Sequence, residues 1–154
     1  MGIEIERKFL VRGDDWRKGQ PGVLYRQGFL RSSVECVVRV RIQDEKAFLT
    51  IKGRTEGISR LEFEYPIPVS DAQEMLDQLC PHPLMEKYRY FRDLAGIRWE
   101  IDEFLDDNQG LVVAEVELQS PDQIITMPDW IDREVTDDPR YLNINLAVNP
   151  YSQW

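Results

Sequence analysis

The chain has 154 residues, 42% of them hydrophobic, and a formal net charge of −9 at pH 7. This is the length of one domain with room for a proper core, and the acidic balance argues against general binding to nucleic acid or a membrane surface while leaving room for a locally basic pocket. No apolar run reaches the roughly 18 residues of a membrane span and no signal peptide opens the chain; Cys36 and Cys80 form neither a disulfide framework nor a metal-ligand spacing, so a reducing cytoplasm is the expected location.

The first element is an alternating run. Successive side chains of a strand point to opposite faces. Glu4, Glu6 and Lys8 therefore share one face, and Ile3, Ile5 and Phe9 the other. Residues 13 to 23, with Gly13, Gly19, Pro21 and Gly22, read as a loop. The ionic alternation then recurs. Arg39 and Arg41 oppose Val38, Val40 and Ile42, and Lys52 closes a strand whose other face holds Leu49 and Ile51. Arg60, Glu62 and Glu64 alternate with Leu61, Phe63 and Tyr65. Ser70 with Gln73 three residues on predicts a capping box, followed by Ala72, Met75, Leu76 and Leu79 at helical spacing until Pro81. His82, the only histidine, sits between Pro81 and Pro83 and is expected to be a solvated turn residue. Lys87 and Arg89 lie two apart, as do Glu100 and Asp102, and Glu115 and Glu117. A second short helix is predicted from Ser120, with Pro121 in first position, and a third over about 140–147.

A lone Glu-x-Glu is usually the wet face of a half-buried strand. Two features point elsewhere. The signs are segregated by strand, and the Thr, Ser and Gln typical of solvated sheet faces are scarce at these positions. An antiparallel sheet closed into a barrel with its ionic faces inward explains both, and makes the chain a β-rich α+β protein with a few flanking helices. Such a barrel carries more apolar exterior than those helices cover. Self-association as a homodimer is the expected way to bury the rest.

The ordered series Glu4-x-Glu6-x-Lys8, Arg39-x-Arg41, Lys52-Gly53, Ser59-Arg60-x-Glu62-x-Glu64, Glu86-Lys87-x-Arg89, Glu100-x-Asp102 and Glu115-x-Glu117, closed by Glu134-Val-Thr and Tyr141-x-Asn143, resembles the CYTH, or triphosphate tunnel metalloenzyme, superfamily. The matches run from residue 2 to about 147, and the compact length is most like the stand-alone bacterial members, which are similar to inorganic triphosphatases. The resemblance implies one CYTH-like domain over 1–154, an eight-stranded tunnel, and metal-dependent hydrolysis of tripolyphosphate to pyrophosphate and phosphate. The superfamily also contains class IV adenylate cyclases and thiamine or nucleoside triphosphatases, and a polyphosphate-binding module without turnover is the reading from a different class. Retention of acidic and basic sets together favours catalysis, because anion binding alone needs only the cations.

Linear triphosphate carries about four to five negative charges near neutral pH. Lys8, Arg39, Arg41, Lys52, Arg60, Lys87 and Arg89 are the expected substrate-binding set, since an arginine fork donates two hydrogen bonds at once to phosphate. The carboxylates suit a hard divalent cation, Mg²⁺ or Mn²⁺, that bridges to phosphate oxygens. The family resemblance implies Glu4, Glu6 and Glu117 as its ligands. Glu62, Glu64, Asp102 and Glu115 are candidates to hold a second ion or orient the nucleophilic water, and Lys8 and Lys87 complete the catalytic set. Lys87 is a proton donor to the leaving phosphate or a plain electrostatic clamp. One departure stands out: relatives often carry tyrosine in a Gln-Gly-Tyr-Leu stretch, where this chain has Gln27-Gly28-Phe29-Leu30.

Overall fold

The computed structural model describes residues 2–154. The charged alternations form strands: β1 (Ile3–Val11), β2 (Val23–Ser32), β3 (Cys36–Gln43), β4 (Lys46–Gly53), β5 (Ser59–Ile67), β6 (Met85–Leu94), β7 (Ile97–Phe104) and β8 (Val112–Glu117), with a short β9 (Ile131–Glu134). Two helices, α1 (Val69–Gln78) and α2 (Asn143–Val148), complete the regular structure, with short 3-10 turns between elements. The first eight strands form a closed antiparallel barrel in the order β1-β5-β4-β3-β2-β6-β7-β8, shut by β1 pairing with both β5 and β8. β1 is shared along its length. Ile3 to Ile5 pair with β5, whereas Phe9 and Val11 pair with β9, which lies outside the barrel.

Turning the ionic faces inward puts the hydrophobic core on the barrel's exterior. Phe9, Trp99, Ala114 and Val116 pack under Trp16 and Trp130 from the flanking loops. Ala72 and Leu76 of α1 cover Val40 and Ala47. Leu146 of α2 joins Tyr141, Met85, Phe104 and Val113. Each such side chain contributes about 1.5–3 kcal/mol by leaving water. Gly28 keeps α1 close: a Cβ there would stand 2.8 Å from Cys80 Cβ and 3.0 Å from Leu84. One strip stays bare, as the scarcity of helices implied: Ile3, Leu61 and Tyr65 are 61%, 54% and 53% exposed.

Three local expectations need correction. α1 starts at Val69 with Pro68 as its N-cap, so Ser70 lies inside the first turn and makes no cap; the Gln73 amide is spent on Asp77 at 3.1 Å. Proline's fixed φ and missing N–H pre-empt the capping box. The helix from Ser120 does not form. Gln119 N–H instead donates to the Gln123 side chain at 2.6 Å, closing a turn. Apolar residues there fall side by side, with Ile124 94% exposed while Ile125 packs on the core, so no helical stripe exists to bury. The third helix is split into a 3-10 turn over Pro139–Tyr141 and α2. His82 is exposed, its Nε2 3.1 Å from the Leu76 carbonyl, away from the barrel interior. No described helix is long and apolar enough to cross a membrane.

Candidate functional site

The barrel encloses a cavity of about 340 Å³. Every expected site residue lines it except Asp102, which is fully buried. Strand order sorts the charges into two halves. The contiguous strands β4-β3-β2-β6 present Lys52, Arg39, Arg41, Lys87 and Arg89. The facing half, β7-β8-β1-β5, presents Glu100, Glu115, Glu117, Glu4, Glu6, Glu62 and Glu64, with Lys8 and Arg60 set among them. Period-two alternation puts these side chains inward. Antiparallel register then sets neighbours: Glu6 directly opposite Glu117, Glu100 opposite Glu115, Lys52 opposite Glu62 and Glu4 opposite Arg60.

Ion pairs tie part of this set together. Lys52 Nζ lies 3.2 Å from Glu4 and 3.1 Å from Glu62. Lys8 donates to Glu115 at 2.6 Å and lies 3.2 Å from Glu6. Arg89 donates to Asp102 through Nε at 2.7 Å and through a terminal nitrogen at 2.8 Å, and to Glu100 at 2.7 Å. Lys87 gives one proton to Asp102 at 2.6 Å and another to Asn143 Oδ1 at 2.8 Å. Asp102 is thus an internal anchor consumed by two cations, which corrects its expected place on the lumen surface.

Other cations are left without an anion. Among the described residues Arg41 has no ion-pair partner; its Nε donates to Gln27 Oε1 at 2.9 Å and its guanidinium stacks on Tyr25 at 4.8 Å. The same Tyr25 ring carries Arg89 at 4.9 Å, holding two like charges apart. The Nε–H groups of Arg39 and Arg60 are buried with no partner. Orphaned donors of this kind are rare in folded proteins, and both arginines belong to the lining of the cavity.

Electrostatics follow the geometry. Burial lowers Arg41 to about 9, with Arg39 and Arg89 adding repulsion. Burial also brings Lys87 down to about 7; Asp102 opposes the fall, and Arg89 and Arg41 reinforce it. Lys8 moves the other way: Glu115 and Glu6 outweigh its burial and hold it above the usual lysine range. On the acidic half, burial and mutual repulsion raise Glu4, Glu6, Glu100 and Glu117 above the usual carboxylate range. Glu115 is held well below that range, because Lys8, Arg89 and Lys87 together outweigh its burial.

Of these raised carboxylates, Glu117 alone has no ion-pair partner among the described residues, and it stands directly opposite Glu6, where like charges on paired strands are destabilising. No three His, Cys, Asp or Glu among the described residues converge into a ready-made metal cage. The donor set still fits a hard cation. Such an ion takes one or two carboxylates and fills its remaining positions with water and substrate phosphate.

The expected site omitted Glu100, Gln27 and Asn143. Glu100 belongs to the quoted Glu-x-Asp pattern and sits on the lumen. Gln27 is fully buried, and Asn143 reaches the lumen from α2 with Leu142 and Ile144. A neutral amide carries no charge pattern; the available signal was that Asn143 belongs to the quoted Tyr141-x-Asn143 and Gln27 to the quoted Gln27-Gly28 stretch.

The CYTH domain model matches residues 2–146 of the chain. An inorganic triphosphatase of Acetivibrio thermocellus is 53% identical over 154 residues, covering 100% of this chain and 99% of that protein. An inorganic triphosphatase of Nitrosomonas europaea is 38% identical over 151 residues, 95% of this chain and 97% of that one. The crystal structure of the inorganic triphosphatase NE1496 superposes with a TM-score of 0.66 at 34% identity, over 94% of this chain and 97% of the other.

Proposed function

The chain belongs to the CYTH domain family, and from that premise we propose that it is an inorganic triphosphatase that hydrolyses tripolyphosphate to pyrophosphate and phosphate. The observation that carries this reading is the division of one small lumen into a cationic half and an acidic half. A polyanion alone would need only the first.

In this reading Arg39, Arg41, Lys52, Arg60, Lys87 and Arg89 grip the triphosphate oxygens. Glu4, Glu6 and Glu117 hold the divalent cation, Mg²⁺ or Mn²⁺, whose positive charge relieves the Glu6–Glu117 repulsion. When bound, that ion supplies charge neutralisation on the phosphates and a more acidic water. Glu62 is kept ionised by its hydrogen bond with Glu4 and by Lys52 and, with Glu64 on the same strand, orients water toward the terminal phosphate. Lys87, poised at about 7, serves as the proton donor to the departing oxygen. Lys8 is held as a permanent ammonium between Glu6 and Glu115, where it orders the acidic half. Glu115 and Asp102 anchor cations and take no proton from water.

The test is incubation of the pure protein with tripolyphosphate, ATP and thiamine triphosphate, each with Mg²⁺ or Mn²⁺, followed by chromatography of all products. Pyrophosphate and phosphate from tripolyphosphate, absent in the Glu4→Ala/Glu6→Ala variant, are expected. Cyclic AMP from ATP would move the assignment to a cyclase. Tight tripolyphosphate binding without any product would make the chain a binding module.

A further inference from the structure

Arg41 and Lys87 share an arrangement that the ionic set alone does not explain. Arg41 Nε donates to Gln27 Oε1 at 2.9 Å, Gln27 Nε2 donates to Asn143 Oδ1 at 3.0 Å, and Lys87 Nζ donates to that same Oδ1 at 2.8 Å. The direction of each bond is forced. A guanidinium and an ammonium can only donate. Gln27 must therefore turn its oxygen to Arg41, which sends its NH₂ toward Asn143, and Asn143 must turn its oxygen to receive both Gln27 and Lys87. Gln27 is fully buried and sits opposite Arg41 in the β2–β3 register, so its amide has no solvent alternative. The chain of bonds joins β3, β2, α2 and β6, and its two inner members are uncharged.

We propose that Gln27 and Asn143 are positioning residues, a neutral amide relay that ties Arg41 to Lys87 on the cationic wall and leaves the charge of Arg41 uncancelled. This rests on the triphosphatase reading only for what the cations grip. A carboxylate in either place would hold the same geometry but offset the charge that the substrate needs. Asp102 already does that for Arg89 and Lys87, whereas Arg41 is spared. The relay also gives α2 a role in the site: it closes part of the lumen and supplies the acceptor that spans from β2 to β6.

The probe is inorganic tripolyphosphate. Wild type, Asn143→Leu, Gln27→Leu, the double variant and Asn143→Asp are titrated by calorimetry without divalent metal, and assayed for hydrolysis with Mg²⁺. Each Leu variant should weaken binding, and raise KM, about tenfold, since a buried cation loses its fixed orientation. The double variant should lie within about twofold of the weaker single variant, because either cut breaks the same chain. Losses that multiply to about a hundredfold would make the two residues independent contacts and overturn the relay, as would wild-type affinity in both single variants. Asn143→Asp is isosteric and guards against misfolding of the Leu variants. It should also lose about tenfold in affinity, and wild-type affinity in it would overturn the requirement for an uncharged acceptor. If wild type binds tripolyphosphate but releases no product, the hydrolase reading falls and the relay is judged on the binding titration. If wild type binds none, both fall.

Discussion

Replacing Lys87 by Met tests whether the lumen was shaped for chemistry at a cost to stability. Lys87 is 1% exposed, and its Nζ contacts Asp102, Asn143 and the face of Phe104 at 5.4 Å. Its fall from 10.5 to about 7 means that the folded protein disfavours the ammonium, by about 5 kcal/mol on the usual conversion. Methionine removes that term. It also removes one hydrogen bond from Asp102, about 1–2 kcal/mol, although Asp102 keeps both bonds from Arg89. The net expectation is a variant about 3 kcal/mol more stable than wild type at pH 6 that no longer cleaves tripolyphosphate. The sign with pH follows from the lowered value. Between about 7 and 10.5 the unfolded chain binds a proton that the folded one does not, so wild-type stability rises with pH there. The variant lacks that rise, and its advantage should shrink toward pH 10. Urea unfolding of metal-free protein at pH 6, 8 and 10, beside a phosphate-release assay, checks both halves. A variant less stable than wild type at pH 6, or an advantage that grows with pH, would refute the reasoning.

Other substitutions separate the two walls. Arg41→Gln should fold at least as well as wild type, because a buried guanidinium without an ion pair is removed, yet lose at least tenfold in tripolyphosphate affinity by calorimetry. Arg89→Gln should instead cost about 3–5 kcal/mol in urea unfolding, because it strands Glu100 and leaves buried Asp102 with Lys87 alone. On the acidic wall, Mg²⁺ should raise the melting temperature of wild type but not of Glu6→Gln/Glu117→Gln, and a variant that still responds to the metal would remove those two residues from the ligand set. Phe29 lines the lumen, so Phe29→Tyr should change relative rates on tripolyphosphate, ATP and thiamine triphosphate; identical rates on all would remove residue 29 from substrate selection.

What the sequence discloses about this fold depends on whether charge or neutral matter does the specifying. Glu4, Glu6 and Lys8 announce their shared face because a period of two is a property of any strand, and segregated signs make sense only if strands of one sign lie side by side. That inference carried the barrel and nearly the whole lumen lining. It could not carry depth. Asp102 and Glu100 share one face of β7, yet Asp102 is fully buried under Lys87 and Arg89 while Glu100 lines the cavity; the difference comes from the two cations that close over Asp102, not from spacing. Nor could it carry pKa direction. Lys8 and Lys87 are both buried lysines beside carboxylates, and they move oppositely because Lys8 faces Glu6 and Glu115 while Lys87 shares Asp102 with Arg89 and feels Arg41 as well. The start of α2 was least legible of all. Helix periodicity reports the face that Leu146 buries, and gives no reason to place Asn143, at the first residue, on the lumen. A site built on opposed charges leaves a strong trace in a sequence. The neutral groups that keep those charges apart, Tyr25 between two guanidiniums and Gln27 beneath one of them, leave almost none, because an aromatic or an amide in a strand is ordinary until its neighbours are known.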